Sequence, residues 1–377
     1  MTSLVLLLGL VSLFADMTYE GARSITGPFM GLLGANGFIV ATVAGLGEFL
    51  GYGVRLISGK ITDRTKLYWP ITLIGYCSNL IVVPLLALAQ RWEIAAFLIV
   101  LERVGKGIRT PARDAMLSYA SKEMGRGWGF GIHEAMDRLG ALLGPIFVFI
   151  VMAYHGSYRS SFVWLAIPAA FALVALGVAK KNYPTPQTAE DKKVTLQMRG
   201  FSRAFWIFLM ASGFVAAGYF DFALISYHFQ KQAILPASWI PLFYTAAMVC
   251  AMLFSLIGGK LFDRFSKPVL LMGVILGALS SPCLFWGSFE VAFLGMILWG
   301  LGLGMQGSVL RSIVASLTPS DRRSAAYGTF GVVFGFCWFL GSTILGLLYD
   351  ASLSSAVAFS IILQLVGAGV FFRIKLL

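Results

Sequence analysis

The sequence predicts an all-α integral membrane protein, with twelve transmembrane helices in two pseudo-symmetric six-helix bundles. Three observations lead there. Of 377 residues, 58% are hydrophobic and only 12% are charged, against about 25% charged in an ordinary soluble domain. Apolar runs recur along the whole chain, each long enough for a hydrocarbon core that takes about 20 residues per helix. Finally, the two halves echo one another at a fixed offset. The composition excludes a soluble enzyme with a polar shell, a disordered chain and a collagen-like fibre. A net charge of +12 would suit a nucleic-acid partner, but a basic nucleic-acid binder is not this apolar, so no nucleic acid is expected.

The spans are placed at 3–33, 37–58, 69–90, 94–118, 127–153, 159–179, 204–229, 238–261, 267–287, 291–316, 325–349 and 352–373. The first begins MTSLVLLLGLVSLFA. It lacks the basic start of a signal peptide and continues apolar through Asp16 to Leu33, so it reads as a membrane helix. The longest polar break, Lys180 to Arg203, holds Pro184, Pro186 and a mixed-charge stretch. It divides the chain into residues 1–181, a cytoplasmic linker 182–203, and residues 204–377.

The repeat supports that division. Gly59-Lys60-Ile61-Thr62-Asp63-Arg64 follows span two, and Gly259-Lys260-Leu261-Phe262-Asp263-Arg264 follows span eight, 200 residues later. Arg126 to Gly131 aligns with Arg323 to Gly328 after spans four and ten. Two echoes at matching places argue for two homologous bundles. Cys77, Cys250, Cys283 and Cys337 are dispersed in apolar stretches, so neither a zinc site nor a disulfide framework is expected.

Counting Lys and Arg sets the orientation. With both termini cytoplasmic, the cytoplasmic segments hold 19 of the 29 basic residues and the outer loops hold three, Arg91, Arg159 and Lys231. The basic charge is therefore a topology signal, and a multi-pass protein of a bacterial inner membrane is expected.

With these features the sequence resembles the major facilitator superfamily along its whole length. Gly59-x-x-x-Asp63-Arg64-x-Lys66 is similar to the family's loop signature. Arg103-x-x-x-Gly107 in span four is similar to the arginine motif of proton-coupled members, and Gly140-x-x-x-Gly144-Pro145 in span five to the motif typical of antiporters. Residues 102–116, ERVGKGIRTPARDAM, resemble a bacterial subgroup of efflux permeases. The resemblance implies two bundles around a central cavity, alternating access, and Arg103 as the cation near a proton-carrying carboxylate.

Ionisable side chains inside a membrane are costly and mark function by default. Nearly all of those within spans lie in the first six. Asp16, Glu20 and Arg23 fall at i, i+4 and i+7 on one face of span one, covering roughly 10 Å. The two carboxylates could exchange protons near neutral pH; a structural pairing with Arg23 or a span-four cation is the alternative. In span four, Glu102, Lys106, Arg109 and Arg113 form one stripe, with Arg103 and Lys106 deepest. In span five, His133, Glu134, Asp137 and Arg138 lie within two turns. His133 with Asp137 could take up a proton or ligate a metal, or the acids could simply neutralise span-four cations.

Asp16, Glu20, Arg103, Lys106 and Asp137 are thus the proton-coupling candidates. Arg23, His133, Glu134, Asp221, Tyr227 and Gln306 are the substrate-binding candidates, Asp221 as the only acid in the last six spans. Aromatics there also serve lipid contact and packing. Gly59, Asp63, Arg64, Arg113, Asp114, Arg126, Asp263 and Arg264 are the gating candidates, because interfacial charges usually orient and pair.

The function expected first is proton-coupled export of a small organic or amphiphilic compound. The partners are that solute, protons and the bilayer, with no cofactor and a monomeric chain. A transporter of divalent metal or metal chelates, an organic-anion transporter using Arg23, Arg103, Lys106 and Arg109, and a non-transporting receptor are the alternatives.

Overall fold

The structure is a computed structural model, describing residues 2–122, 124–184, 201–319 and 322–373. Thirteen α-helices occur among the described residues: α1 (Thr2–Leu32), α2 (Gly37–Thr65), α3 (Tyr68–Leu85), α4 (Trp92–Ala120), α5 (Arg126–His155), α6 (Tyr158–Trp164), α7 (Ala166–Asn182), α8 (Arg203–Gly218), α9 (Phe222–Lys231), α10 (Ile240–Trp286), α11 (Phe289–Ser316), α12 (Arg323–Ala351) and α13 (Leu353–Arg373). They accommodate the twelve expected spans. One span is broken into α6 and α7, another into α8 and α9, and α10 contains two. Among the described residues, eleven segments are long and apolar enough to cross a bilayer. The twelfth, α4, carries Glu102, Arg103, Lys106, Arg109, Arg113 and Asp114. Large apolar side chains such as Leu6, Ile57, Phe97, Phe171 and Val174 are exposed, as helices surrounded by hydrocarbon require. Most of the 182–203 linker, and the side chains of Arg126 and Asp263, lie outside the described residues.

Both sequence repeats fall at helix ends. The Gly59–Arg64 segment closes α2, and Lys66 follows it with φ 57. Its counterpart, Gly259–Arg264, ends where Phe265 leaves helical geometry inside α10 (φ −127, ψ 25). Arg126 opens α5 and Arg323 opens α12.

The chain divides into two compact units, one of Met1–Gly34, Leu50–Lys192 and Ala237–Leu242, the other of Ala35–Phe49, Lys193–Pro236 and Phe243–Leu377. In the first unit α1 lies on α5, and α3 on α4. A Cβ at Gly140 would stand 2.1 Å from the Leu13 carbonyl oxygen, and one at Gly144 2.4 Å from that of Met17. The two backbones meet directly, as small-residue interfaces in membranes allow. The second unit repeats the pairing. Gly341 of α12 meets the backbone of Ala217 in α8, and Gly302 of α11 meets Gly277 in the second half of α10.

Two further details belong to the second unit. The break between α8 and α9 exposes backbone groups that hydrocarbon cannot satisfy, at several kcal/mol each, and side chains take up that task. The Gly218 carbonyl accepts from Ser360 Oγ (2.6 Å) and Gln364 Nε2 (3.2 Å). The Phe220 carbonyl accepts from Trp299 Nε1 (2.9 Å), and Tyr219 OH donates to the Trp299 carbonyl. Asp221 caps α9, accepting from the Ala223 N–H at 2.9 Å. At the start of α2, Asn36 Oδ1 accepts from Ile39 N–H, and the Asp350 carboxylate of α12 accepts from Gly37 N–H (3.1 Å) and Phe38 N–H (2.8 Å). A cross-helix anion thus completes the cap, where the helix dipole favours negative charge.

Candidate functional site

The polar centre of the first unit is built from α1, α3, α4 and α5. Helix periodicity puts Ser12, Asp16, Tyr19, Glu20 and Arg23 along one side of α1, facing the charged stripe of α4. Lys106 Nζ donates to Tyr19 OH at 2.7 Å, stands 3.9 Å from the Tyr19 ring centroid and lies 4.0 Å from Glu20 Oε1. Arg109 is 1% exposed. Its Nη2 stands 4.0 Å from Asp16 Oδ1 and its guanidinium carbon 4.1 Å from the Tyr76 ring centroid. A desolvated cation over an aromatic face recovers on the order of 2 kcal/mol, which helps offset the burial.

Glu102 sits one turn from Lys106. Asn79 Nδ2 of α3 donates to Glu102 Oε1 at 2.6 Å and to its carbonyl at 3.2 Å, while Arg103 Nε is 3.2 Å from Glu102 Oε2. The close seam allows this, since a Cβ at Gly105 would stand 2.6 Å from Asn79 N. A small cleft opens here, walled by Tyr19, Arg23, Thr26, Glu102 and Arg103 with apolar Val83, Leu86 and Ile99.

On α5, Asp137 Oδ1 accepts from Ser12 Oγ at 2.5 Å, and Ser12 Oγ also accepts from Arg113 Nη1 at 3.3 Å. Arg113 holds Asp114 Oδ1 through Nε (3.0 Å) and Nη2 (2.8 Å). His133 is buried, with Nε2 making no hydrogen bond. Glu134 is exposed and pairs with Arg138 Nη2 at 2.8 Å. Among the described residues no three His, Cys, Asp or Glu side chains converge to hold a metal ion.

The expected coupling residues Asp16, Glu20, Lys106 and Asp137 therefore gather in one place, and Arg103 lines the adjoining cleft with Arg23. Lys106 and Arg109 are the cations beside Asp16. Tyr19, Tyr76, Asn79 and Ser12 are additions that charge counting alone does not find. Their signal is that neutral polar groups sit at helical spacing within apolar spans.

The other substrate candidates belong to the second unit. Asp221 is occupied as a helix cap. Tyr227 lies 5.9 Å from the Tyr349 ring, with Lys231 Nζ 5.4 Å from its own centroid. Gln306 is buried, and neither of its amide atoms makes a hydrogen bond. Of the gating candidates, Gly59 rests against Pro111 of α4 at 3.6 Å from an added Cβ. Asp63 and Arg64 are exposed on the last turn of α2. Arg264 stands 5.1 Å from the Phe265 ring centroid. Arg113 and Asp114 join the α1–α5 cluster through Ser12.

The profile of the Major Facilitator Superfamily matches residues 8–342 and, separately, 232–376. The chain belongs to that superfamily. A Mycobacterium tuberculosis protein of uncharacterised function is 37% identical over 99% of this chain and 93% of its own length. An uncharacterised MFS-type transporter of Methanocaldococcus jannaschii is 26% identical over 96% of this chain and 92% of its own. The crystal structure of the nucleoside transporter NupG is similar in fold, with a TM-score of 0.78 at 16% identity, covering 98% of each chain. As a member of the superfamily, the protein is a multi-pass membrane transporter of a small solute and not an enzyme.

Proposed function

We propose that this transporter exports a small organic or amphiphilic compound in exchange for protons. Asp16, Glu20 and Asp137 act as proton carriers, with Arg109 and Lys106 holding them. The observation that carries the reading is the pairing on one face of α1: Asp16 and Glu20 each stand 4.0 Å from a different cation of α4. Protonating either carboxylate cancels its attraction for that cation. It frees α4 to shift against α1, which links proton uptake to rocking. Two bundles, 1–181 and 204–377, alternate around the solute with both termini cytoplasmic in a bacterial inner membrane. The chain works as a monomer. Asp63, Arg64, Arg113, Asp114, Arg126, Asp263 and Arg264 serve the cytoplasmic gate.

A second reading is favoured by the cleft. Arg23 and Arg103 in its wall suit the carboxylate or phosphate of an organic anion.

The test begins with thermal stabilisation of the purified protein across a library of drugs, metabolites and metal ions, because binding raises stability whichever way transport runs. Adding the stabilising compound in weak buffer is expected to release protons from the wild type, and less from Asp16→Asn and Glu20→Gln. Stabilisation by small anions alone, lost in Arg23→Gln, would transfer the case to the second reading. Binding without proton release in any variant would overturn the first.

A further inference from the structure

A concentration of unpartnered polar atoms marks the seam between α1, α3 and α4. Asp16 Oδ1, Thr72 Oγ1, Tyr76 OH, Asn79 Oδ1, and Arg109 Nε and Nη1 make no hydrogen bond within the protein. Each belongs to a side chain no more than 4% exposed. Buried groups of this kind are almost always satisfied, and leaving one unsatisfied costs about 1–3 kcal/mol. The set contains both donors and acceptors, yet they do not bond one another, so their spacing is wrong for direct contact. The gap between Asp16 and the third guanidinium nitrogen of Arg109 fits water. Arg109 Nη2 and Asp16 Oδ1 are 4.0 Å apart, and a water about 2.8 Å from each would see them at an angle of roughly 90°. Polar, enclosed sites with two to four partners are where buried waters reside.

The atoms are also in sequence. Thr72, Tyr76 and Asn79 stand at i, i+4 and i+7 on α3, one stripe roughly 10 Å long. At one end Asn79 Nδ2 is bonded to Glu102, which lines the cleft. Midway, the Tyr76 ring carries the Arg109 guanidinium, and Arg109 reaches Asp16. The expected topology puts the cleft in the outer half of the membrane.

We infer that a file of bound water runs through this seam and delivers protons from the cleft, through Glu102, to Asp16. The inference rests on the reading of Asp16 as a proton carrier. Glu102 takes a proton from the cleft and passes it to a water held by Asn79 Oδ1. Each water in turn accepts one proton and gives up another, so that only O–H bonds form and break. Asp16 ends as the neutral acid. Arg109 stays protonated, and its free N–H groups orient the waters. Glu102 is faced by Arg103 on its own helix and Asn79 on α3, and Tyr19 and Arg23 of α1 line the same cleft. Asp16 is faced by Tyr19 on α1, Lys106 and Arg109 on α4 and Asp137 on α5. The route stays inside the first unit.

Two measurements on liposome-reconstituted protein test the route, and neither needs the solute. The first is rapid-scan infrared spectroscopy after a drop in external pH, following the carboxylic-acid carbonyl band that is absent in Asp16→Asn. In Asn79→Leu and Glu102→Gln the band should rise about tenfold more slowly, the effect of one lost hydrogen-bonded relay on a barrier, with its final amplitude kept. Asn79→Ser, which keeps a polar group and room for water, should stay near the wild-type rate. The second is hydroxyl-radical footprinting, in which buried Tyr76 should be labelled as readily as an exposed tyrosine, and much less in Asn79→Leu. Equal rise rates in all these variants, or an unlabelled Tyr76, would overturn the water file while leaving Asp16 as a carrier. Absence of an Asp16-dependent band would overturn the carrier reading itself.

Discussion

Arg109 and Asp16 face each other inside the first unit at 4.0 Å, both almost wholly buried. Removing one member of a buried pair strands the other charge and costs about 3–5 kcal/mol, whereas replacing both can be neutral. Arg109→Leu should therefore lower the unfolding temperature in detergent strongly. Adding Asp16→Asn should restore most of the loss. Additive losses in the double variant would show that the two side chains do not interact.

The α1–α5 contact should be intolerant of any side chain. A Cβ at Gly140 would press on the Leu13 carbonyl, while at Gly131 on the same helix it would meet nothing within 4 Å. Gly140→Ala is expected to destabilise by about 1–3 kcal/mol through overpacking. Gly131→Ala should be neutral or slightly stabilising, because alanine favours the helix. Equal thermal shifts in the two variants would contradict the close approach.

Asp350 should be read directly by the amides it accepts from. Asp350→Ala removes a charged acceptor worth about 1.5–3 kcal/mol, so hydrogen exchange at Gly37 and Phe38 should accelerate by about tenfold or more. Ile39, bonded to Asn36, should change less. Unaltered exchange at Phe38 would remove the clasp.

The cap at Asp221 separates two roles for that acid. Asparagine caps helices about as well as aspartate, and alanine loses about 1 kcal/mol. Asp221→Asn should keep both stability and transport, and Asp221→Ala should lose stability. Loss of transport in Asp221→Asn at unchanged stability would return Asp221 to the substrate site.

How much was legible follows from the kind of signal each feature leaves. Spans are legible because bilayer thickness imposes a length on apolar runs, and even α4 is recognisable despite its charges. The repeats at Gly59 and Gly259 mark helix ends because the same turn is needed twice. Asp16, Glu20 and Lys106 are found because a charge in hydrocarbon is conspicuous at any register. What is not legible is pairing. Arg103, Lys106 and Arg109 lie on the same helix, and the packing of Gly105 against Asn79 and of Arg109 against Tyr76 decides which cations stand beside Asp16. The break at Tyr219–Asp221 is hidden for a similar reason. The chain remains apolar there, and the partners that permit the break, Trp299, Ser360 and Gln364, come from distant helices.

The role proposed for Asp16 is to carry the proton that drives transport. The most direct measurement is flux of the stabilising solute in proteoliposomes under an imposed pH gradient, compared with exchange at zero gradient. Asp16→Asn should abolish gradient-driven accumulation while solute binding and zero-gradient exchange persist. Accumulation at the wild-type rate in Asp16→Asn would contradict it.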